Sequence, residues 1–295
     1  MEKIKVAILG SGNIGTDLLM KIQRSDVLEV SRFIGKNKNS ENLKMAQEMG
    51  ICVSANSIRE LVQNPDCCDI VFDATSANAH VIHAPILKKM GVYTIDLTPS
   101  RIGKCCIPVI NGEECLSQQN INLITCGGQA TVPLAYELSK ICGNITYIET
   151  VSTIASKSAG SGTRNNIDEF IETTSSALRE FSEVKNTKSI LILNSTEPPV
   201  NMRNTIYLET EKYDKEHVEN SVYLVEKKLR EYVPGYRVIV GPTYKHGIIA
   251  ITVQVTGRGD YLPAYSGNLD IITCAAVEMA ERYARKMIGK EGWSF

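Results

Sequence analysis

The stretch 121–133, INLITCGGQATVP, holds a cysteine in a setting suited to nucleophilic chemistry. Ile121, Leu123 and Ile124 predict a short buried strand, Gly127 and Gly128 an abrupt turn, and Pro133 the first turn of a helix through Leu134, Leu138 and Ile141. Such a geometry sets the Cys126 sulfur beside a helix N-terminus. Unpaired backbone N–H groups and the positive end of the dipole favour thiolate there, and the thiolate is the form that attacks carbon. The competing reading is an inert buried cysteine, the commoner state of a free thiol.

A second chemical stretch opens the chain. Gly10, Ser11, Gly12, Asn13, Ile14 and Gly15 spell G-x-G-x-x-G between an apolar run at residues 3–9 and a helical pattern carrying Leu18, Leu19, Met20 and Ile22. In that context the glycines give a tight turn, close approach to a pyrophosphate and close packing of helix on strand, which predicts dinucleotide binding. A merely structural Gly-rich turn is the alternative. The next strand, Leu28 to Ile34, leads into Gly35-Lys36-Asn37-Lys38-Asn39-Ser40, with no carboxylate for an adenosine 2′-hydroxyl. The expectation is NAD, with Lys36 and Lys38 able to tolerate the 2′-phosphate of NADP.

A third stretch, 156–166, reads SKSAGSGTRNN. Its small residues permit close approach to a ligand, and Arg164, Asn165 and Asn166 offer donors to a phosphate, an amide or an oxyanion. A mobile connection would have the same composition.

The elements that must position these stretches follow from periodicity. After the glycine motif come a helix at 41–49, a strand at 51–53, a helix at 58–62, the buried strand 69–74, a helix at 77–90 that Pro85 should kink or delimit, and a strand at 92–97. Alternation of this kind predicts a parallel sheet covered on both faces, with ligands beyond the carboxyl ends of its strands. The segments 75–78 and 96–99 and Cys126 all fall at such ends. Beyond Ile141 the pattern changes to a strand at 144–154, an alternating strand at 247–256, and helices at 167–181 and 214–233, the second with Val218, Val222, Val225 and Leu229 inward. This is an α+β domain. A last helix follows Asn268, a candidate N-cap. The fold class is therefore α/β, with a dinucleotide-binding domain at 1–127, completed by helix 268–295, and an α+β substrate and dimerisation domain at 128–267.

Composition narrows the partners. With 32 Lys and Arg against 33 Asp and Glu, and no long basic block, neither nucleic acid nor an anionic membrane is expected. No apolar run reaches membrane-spanning length. Nine cysteines, odd in number and without a Cys-x-x-Cys pair, argue against a disulfide framework and a metal site, and point to a reducing cytoplasm.

The ordered set Ser11-Gly12-Asn13-Ile14-Gly15-Thr16-Asp17, Asp96-Leu97-Thr98-Pro99, Thr125-Cys126-Gly127-Gly128-Gln129-Ala130-Thr131, the loop Ser158–Asn166, Glu197-Pro198-Pro199 and Gly267-Asn268-Leu269-Asp270 resembles acylating acetaldehyde dehydrogenase. That enzyme pairs with 4-hydroxy-2-oxovalerate aldolase in aromatic-compound degradation. The resemblance covers nearly the whole chain. It implies a Rossmann domain joined to a catalytic and dimerisation domain in the manner of glyceraldehyde-3-phosphate dehydrogenase. It also implies oxidation of a short aldehyde to its acyl-CoA through a Cys126 thioester, with reduction of NAD and coenzyme A as co-substrate. By the same resemblance Asn166 joins the Cys126 backbone N–H in meeting the oxyanion. Ser158, Ala159, Gly160, Ser161, Gly162, Thr163, Arg164, Asn165 and Asn166 border the cofactor, and Asn268 holds its carboxamide. A homodimer through the second domain's sheet and an aldolase partner that channels the aldehyde are implied too.

This chain departs from the family pattern twice. Ser161 stands where the family usually has Pro, and Asn204 stands where it places an Asp after Met-Arg. Asn204 exchanges hydrogen bonds but takes no proton, which leaves water, His246 or the helix dipole to assist the thiol. Two alternatives remain open at this stage. One is a phosphate-dependent semialdehyde dehydrogenase using Arg101, Lys104 and Arg164; the other is a catalytically weakened cofactor-binding partner of an aldolase.

Overall fold

The computed structural model describes residues 3–160, 163–164 and 166–291. Ser161, Gly162 and Asn165, three of the expected cofactor-bordering residues, lie outside that set. The chain divides into two compact units, one running up to Leu123 and resuming at Thr273, the other spanning Ile124–Ile272.

In the first unit, apolar runs form parallel strands because both of their faces are covered. The sheet comprises β1 (Ile4–Leu9), β2 (Leu28–Ile34), β3 (Val53–Ser54), β4 (Ile70–Asp73), β5 (Tyr93–Asp96), β6 (Lys104–Cys105) and β7 (Asn120–Asn122), in the order β3-β2-β1-β4-β5-β7-β6. The strand order reverses between β1 and β4, which makes the carboxyl ends of those two strands the expected ligand crevice. Helices α1 (Asn13–Ile22), α2 (Glu41–Glu48), α3 (Ile58–Gln63), α4 (Ala77–Met90) and α5 (Pro108–Cys115) connect them. Pro85 neither delimits nor ends α4, which continues to Met90 and stops at the left-handed Gly91. A proline costs a helix one N–H and one steric adjustment, and here the flanking turns tolerate both.

The second unit is a five-stranded mixed sheet with helices on one face. Its strands are β8 (Tyr147–Ala155), β9 (Thr187–Asn194), β10 (Met202–Glu209), β11 (Tyr236–Lys245) and β12 (Ile248–Val255), ordered β11-β12-β10-β8-β9. All neighbours are antiparallel except β8 and β9. Helices α6 (Cys126–Cys142), α7 (Ile167–Ser182) and α8 (Lys215–Tyr232) supply the covering layer, and Val218, Val222, Val225 and Leu229 of α8 are buried as their spacing predicts. Strand β10 alternates a buried set, Met202, Asn204, Ile206 and Leu208, with exposed Arg203, Tyr207 and Glu209. The last helix, α9 (Gly267–Glu291), begins in this unit, and its residues from Thr273 on belong to the first. Among the described residues no helix is long and apolar enough to cross a membrane.

Candidate active site

The glycine motif folds as its chemistry requires. Gly10 sits at φ +119°, a left-handed value, and a Cβ there would lie 2.5 Å from the Ala74 carbonyl oxygen. A Cβ on Gly15 would lie 1.8 Å from the Gly10 oxygen, so helix α1 can pack on β1 only with glycine at that position. Gly12, the N-cap of α1, has open space where a Cβ would go. Backbone N–H groups at the start of this ten-residue helix therefore face a cradle without side chains, which fits a dinucleotide pyrophosphate. The turn after β2 abuts the loop: a Cβ on Gly35 would meet Ser11 Oγ at 2.4 Å, and Asn42 Nδ2 donates to the Ser11 carbonyl at 2.8 Å. Lys36 and Lys38 in that turn are exposed.

In the second unit, Cys126 is the first residue of α6. The strand is shorter than expected and ends at Asn122, two residues before Ile124, which takes φ +64°. Ile124, not the glycine pair, makes the abrupt turn. A buried β-branched residue in that region costs roughly 1–3 kcal/mol and persists only where packing holds it. Thr125 caps the helix, its Oγ1 accepting from the Gly128 N–H at 2.9 Å and meeting Thr174 Oγ1 of α7 at 2.7 Å. Gly127 and Gly128 are helical and are needed for close approach. A Cβ on Gly127 would lie 2.8 Å from Ser152 Oγ of β8 and 3.0 Å from the Phe170 ring of α7. Pro133 falls inside the helix, well past its first turn, because the cap and the small residues start α6 earlier than an N-terminal proline would. This packing on the second sheet also ends the first unit at Leu123, short of the expected 127.

The thiol is half-buried, and the two influences on it oppose each other. Burial pushes its pKa up to about 12, while the backbone N–H groups of Gly127 and Cys126 draw it down. The helix terminus acts in the expected direction, but desolvation outweighs it. Cys126 therefore rests as a thiol and needs a proton acceptor.

Asn204 is fully buried, and its register places it directly opposite Ser152, the residue whose hydroxyl lies under Gly127. Neither carboxamide atom of Asn204 has a hydrogen-bond partner among the described residues, and the same is true of Ser152 Oγ. A buried amide left unmet costs several kcal/mol, so this pair marks a place reserved for a polar guest rather than for packing. His246 is excluded as the proton acceptor. It is exposed at φ +51° in the β11–β12 hairpin turn, seven residues along the chain from Val253, the β12 partner of Asn204, or about 20 Å of strand.

The loop residues take mixed roles. Asn166 precedes α7, half-buried, one helical turn before Phe170, which puts it on the face of α7 that meets Gly127. Arg164 spends its guanidinium on its own loop, donating to the Ala159 carbonyl at 3.0 Å and to Ser156 O and Oγ at 2.8 Å each. Nε and Nη2 thereby brace the loop. Ser158 is buried and donates to the Ala155 carbonyl at 2.8 Å, and Gly160 has open space at its Cβ position. Asn268 is not an N-cap: the helix starts before it, at Gly267, and Ser266 accepts from the Leu269 and Asp270 N–H groups. Its side chain is buried, with Oδ1 lacking a partner among the described residues, which suits recognition of a carboxamide.

Residues 5–113 match the family model for the semialdehyde dehydrogenase NAD binding domain. The fold also matches a solved structure, aspartate semialdehyde dehydrogenase II of Vibrio cholerae, with a TM-score of 0.65 at 15% identity over 96% of this chain and 99% of that one. A glycine-cradle sheet of this kind, with a cysteine-bearing mixed-sheet unit, defines an NAD-dependent oxidoreductase acting on aldehydes. Residues 126–263 match the model described as prokaryotic acetaldehyde dehydrogenase, dimerisation. The acetaldehyde dehydrogenase of Spirochaeta aurantia is 49% identical over 284 residues, 96% of each chain, and that of Geobacillus stearothermophilus 46% identical over 293 residues, 99% of each. The chain belongs to the acetaldehyde dehydrogenase family.

Proposed function

We propose that the chain oxidises acetaldehyde, or another short aldehyde, and transfers the acyl group to coenzyme A. The observation that carries the reading is a lone thiol at the capped N-terminus of α6 in a chain of this family. Cys126 loses its proton and its sulfur bonds to the aldehyde carbon, moving the carbonyl electron pair onto oxygen. The Cys126 backbone N–H and Asn166 are the donors assigned to that oxyanion, at a few kcal/mol each. Residues of the Gly10–Gly15 loop are assigned to the dinucleotide, and Asn268 and the loop Ser158–Asn166 are assigned to cofactor binding as well. When bound, the nicotinamide ring supplies the hydride acceptor. The chain is left carrying a Cys126 thioester, whose C–S bond breaks as the coenzyme A thiol attacks.

Coenzyme A is favoured over phosphate because the chain belongs to the acetaldehyde dehydrogenase family, and two of the three basic residues named for a phosphate site already have partners. Arg164 braces its loop, and Lys104 pairs with Glu114 at 3.2 Å. NADH formation with acetaldehyde plus coenzyme A, plus phosphate, or plus neither tests the reading, with Cys126→Ala as the control. Turnover that needs phosphate and ignores coenzyme A overturns it. The missing acid after β2, with exposed Lys36 and Lys38, supports tolerance of a 2′-phosphate, which a strict kinetic preference for NAD would contradict. A homodimer is supported by apolar groups on the uncovered side of the second sheet, including Ile192, Tyr207, Val240 and Ile248, which are exposed in the single chain. An aldolase partner in aromatic catabolism, in a reducing cytoplasm, completes the proposal, and separate elution of the two proteins would refute a stable complex.

A further inference from the structure

The first unit contains a buried ionic network that the reaction above does not use. Asp73 at the end of β4, His80 on α4 and Asp96 at the end of β5 are fully buried. Asp73 Oδ2 accepts from Nδ1 of His80 at 2.9 Å and from Nδ1 of His83 at 2.8 Å, and its Oδ1 accepts from the Thr75 N–H and hydroxyl. Both histidines must therefore carry hydrogen on Nδ1, so the charge on His80 depends on Nε2 alone. That atom lies 3.5 Å from Asp96 Oδ2 and 3.2 Å from Asn120 Nδ2 of β7.

A neutral Nε2 would accept from the Asn120 amide and leave Asn120 Oδ1 buried without a partner among the described residues. A protonated Nε2 turns the amide round, donates to that oxygen and faces the Asp96 carboxylate. The amide nitrogen then takes the buried, partnerless position that the oxygen had held, so the Asn120 amide by itself does not choose between the two states. What favours the protonated state is that it places one cation between two buried carboxylates, Asp73 on Nδ1 and Asp96 toward Nε2.

The network bears on the dinucleotide loop through the turn after β4. The carboxylate of Asp73 fixes Thr75, the Asp73 carbonyl accepts from the Leu97 N–H at 3.0 Å, and Ala74 donates to the Leu9 carbonyl at 2.8 Å. The Ala74 oxygen is the atom against which Gly10 packs. Asp96 sets the matching turn after β5, accepting from the Thr98 N–H at 2.8 Å and from Ser100 Oγ.

We propose that His80, in its protonated form, is a positioning residue that ties the carboxyl ends of β4 and β5 to each other and to β7, and holds the glycine loop in its dinucleotide-binding shape. The inference rests on the cofactor reading given above. Packed around His80 are Asp73 of β4, Asp96 of β5 and His83 of its own helix, with Asn120 and Asn122 from β7. Burial alone would lower the His80 pKa, but the Asp73 hydrogen bond and the charges of Asp96 and Asp73 raise it. Burial lifts Asp96 to about 6 against the pull of His80, Ser100 and Thr98. The anion–cation–anion arrangement is therefore complete from about pH 6 upward and is lost when His80 gives up its proton.

Two measurements on the intact chain test this. Nitrogen-15 chemical shifts of labelled histidine should show His80 protonated at both ring nitrogens at neutral pH and losing the Nε2 proton as pH rises. NADH affinity, read by fluorescence, should weaken on the order of fivefold or more across that same titration. In His80→Gln the affinity should be weaker at neutral pH and should lack this alkaline limb. A neutral His80 at pH 7, a flat wild-type profile, or an unchanged limb in His80→Gln overturns the inference. The shifts are read on the wild type, so they decide even if the variant fails to fold. A wild type that binds no NADH at any pH overturns the cofactor reading as well, whereas binding with a flat profile overturns this inference alone.

Discussion

Asn204→Asp is the most informative single change. Burial holds the Cys126 thiol well above the ordinary cysteine range, so forming the thiolate at neutral pH is uphill and a proton acceptor nearby should raise the rate. Asn204 lies opposite Ser152, whose hydroxyl is beside Gly127, the neighbour of Cys126, and the expectation tested is that a carboxylate at 204 serves the thiol through that hydroxyl or a water. A general base in this setting contributes roughly 10²–10⁴ in rate, and a relayed one falls at the low end, so about 10² is expected. The assay is single-turnover NADH formation from acetaldehyde without coenzyme A, which reports the step that makes the thioester. The same substitution carries a stability cost. An acid at a fully buried position has its folded-state pKa raised above the unfolded value of about 4. The variant should match the parent below that pH and lose stability progressively as pH rises through the folded-state pKa, because the folded chain then holds an unpaired buried anion. Thermal melts across the acid range check this. A folded variant with an unchanged single-turnover rate would refute the argument that position 204 addresses the thiol. A stability loss independent of pH would show that the side chain is not buried there.

Two further outcomes follow from close approach and capping. Gly15→Ala puts a methyl 1.8 Å from the Gly10 oxygen and should abolish NADH binding, measured by fluorescence, while circular dichroism retains its helix and strand content. Thr125→Ala removes the α6 cap and the contact with Thr174, so it should lower stability by about 1 kcal/mol in urea unfolding and slow Cys126 alkylation less than twofold.

Much of this architecture was legible in the chain. The boundaries of β2 at Leu28–Ile34 and of α4 at Ala77–Met90 coincide with those expected; for α4 the punctuation is plain, a Ser76 cap at its start and left-handed Gly91 at its end, although its apolar Val81 and Ile82 face solvent while His80 and His83 are buried. Strand β11 was not legible, since most of its side chains are exposed and no alternation marks it, and the short β6–α5 excursion lacks strong local signals; β9, with its apolar run Ile190–Leu193, and β10, with its alternation, do carry strand signals in the sequence. At the site, Cys126 and the glycine motif were visible as residues. The start of α6 was misjudged because the turn is made by Ile124, a residue type that gives no hint of a left-handed backbone. Arg164 looked like a ligand donor because sequence cannot show that a guanidinium is already spent on nearby carbonyls. The histidine–aspartate network was missed altogether. Its members, at 73, 80, 83 and 96, come from three elements, and only the register of β4 against β5 brings the two acids level.

The high proton affinity of the Cys126 thiol also bears on how long the protein survives. Peroxides and disulfides attack thiolates, and a cysteine that is almost entirely protonated at neutral pH offers them a very small reactive fraction. The resting chain thus keeps the sulfur proposed as nucleophile chemically quiet. Exposed Cys52 carries no such protection from solvent and is the expected first casualty of mild oxidation. Durability and nucleophilicity are thereby separated in time, the first belonging to the idle protein and the second only to the protein with its reactants in place.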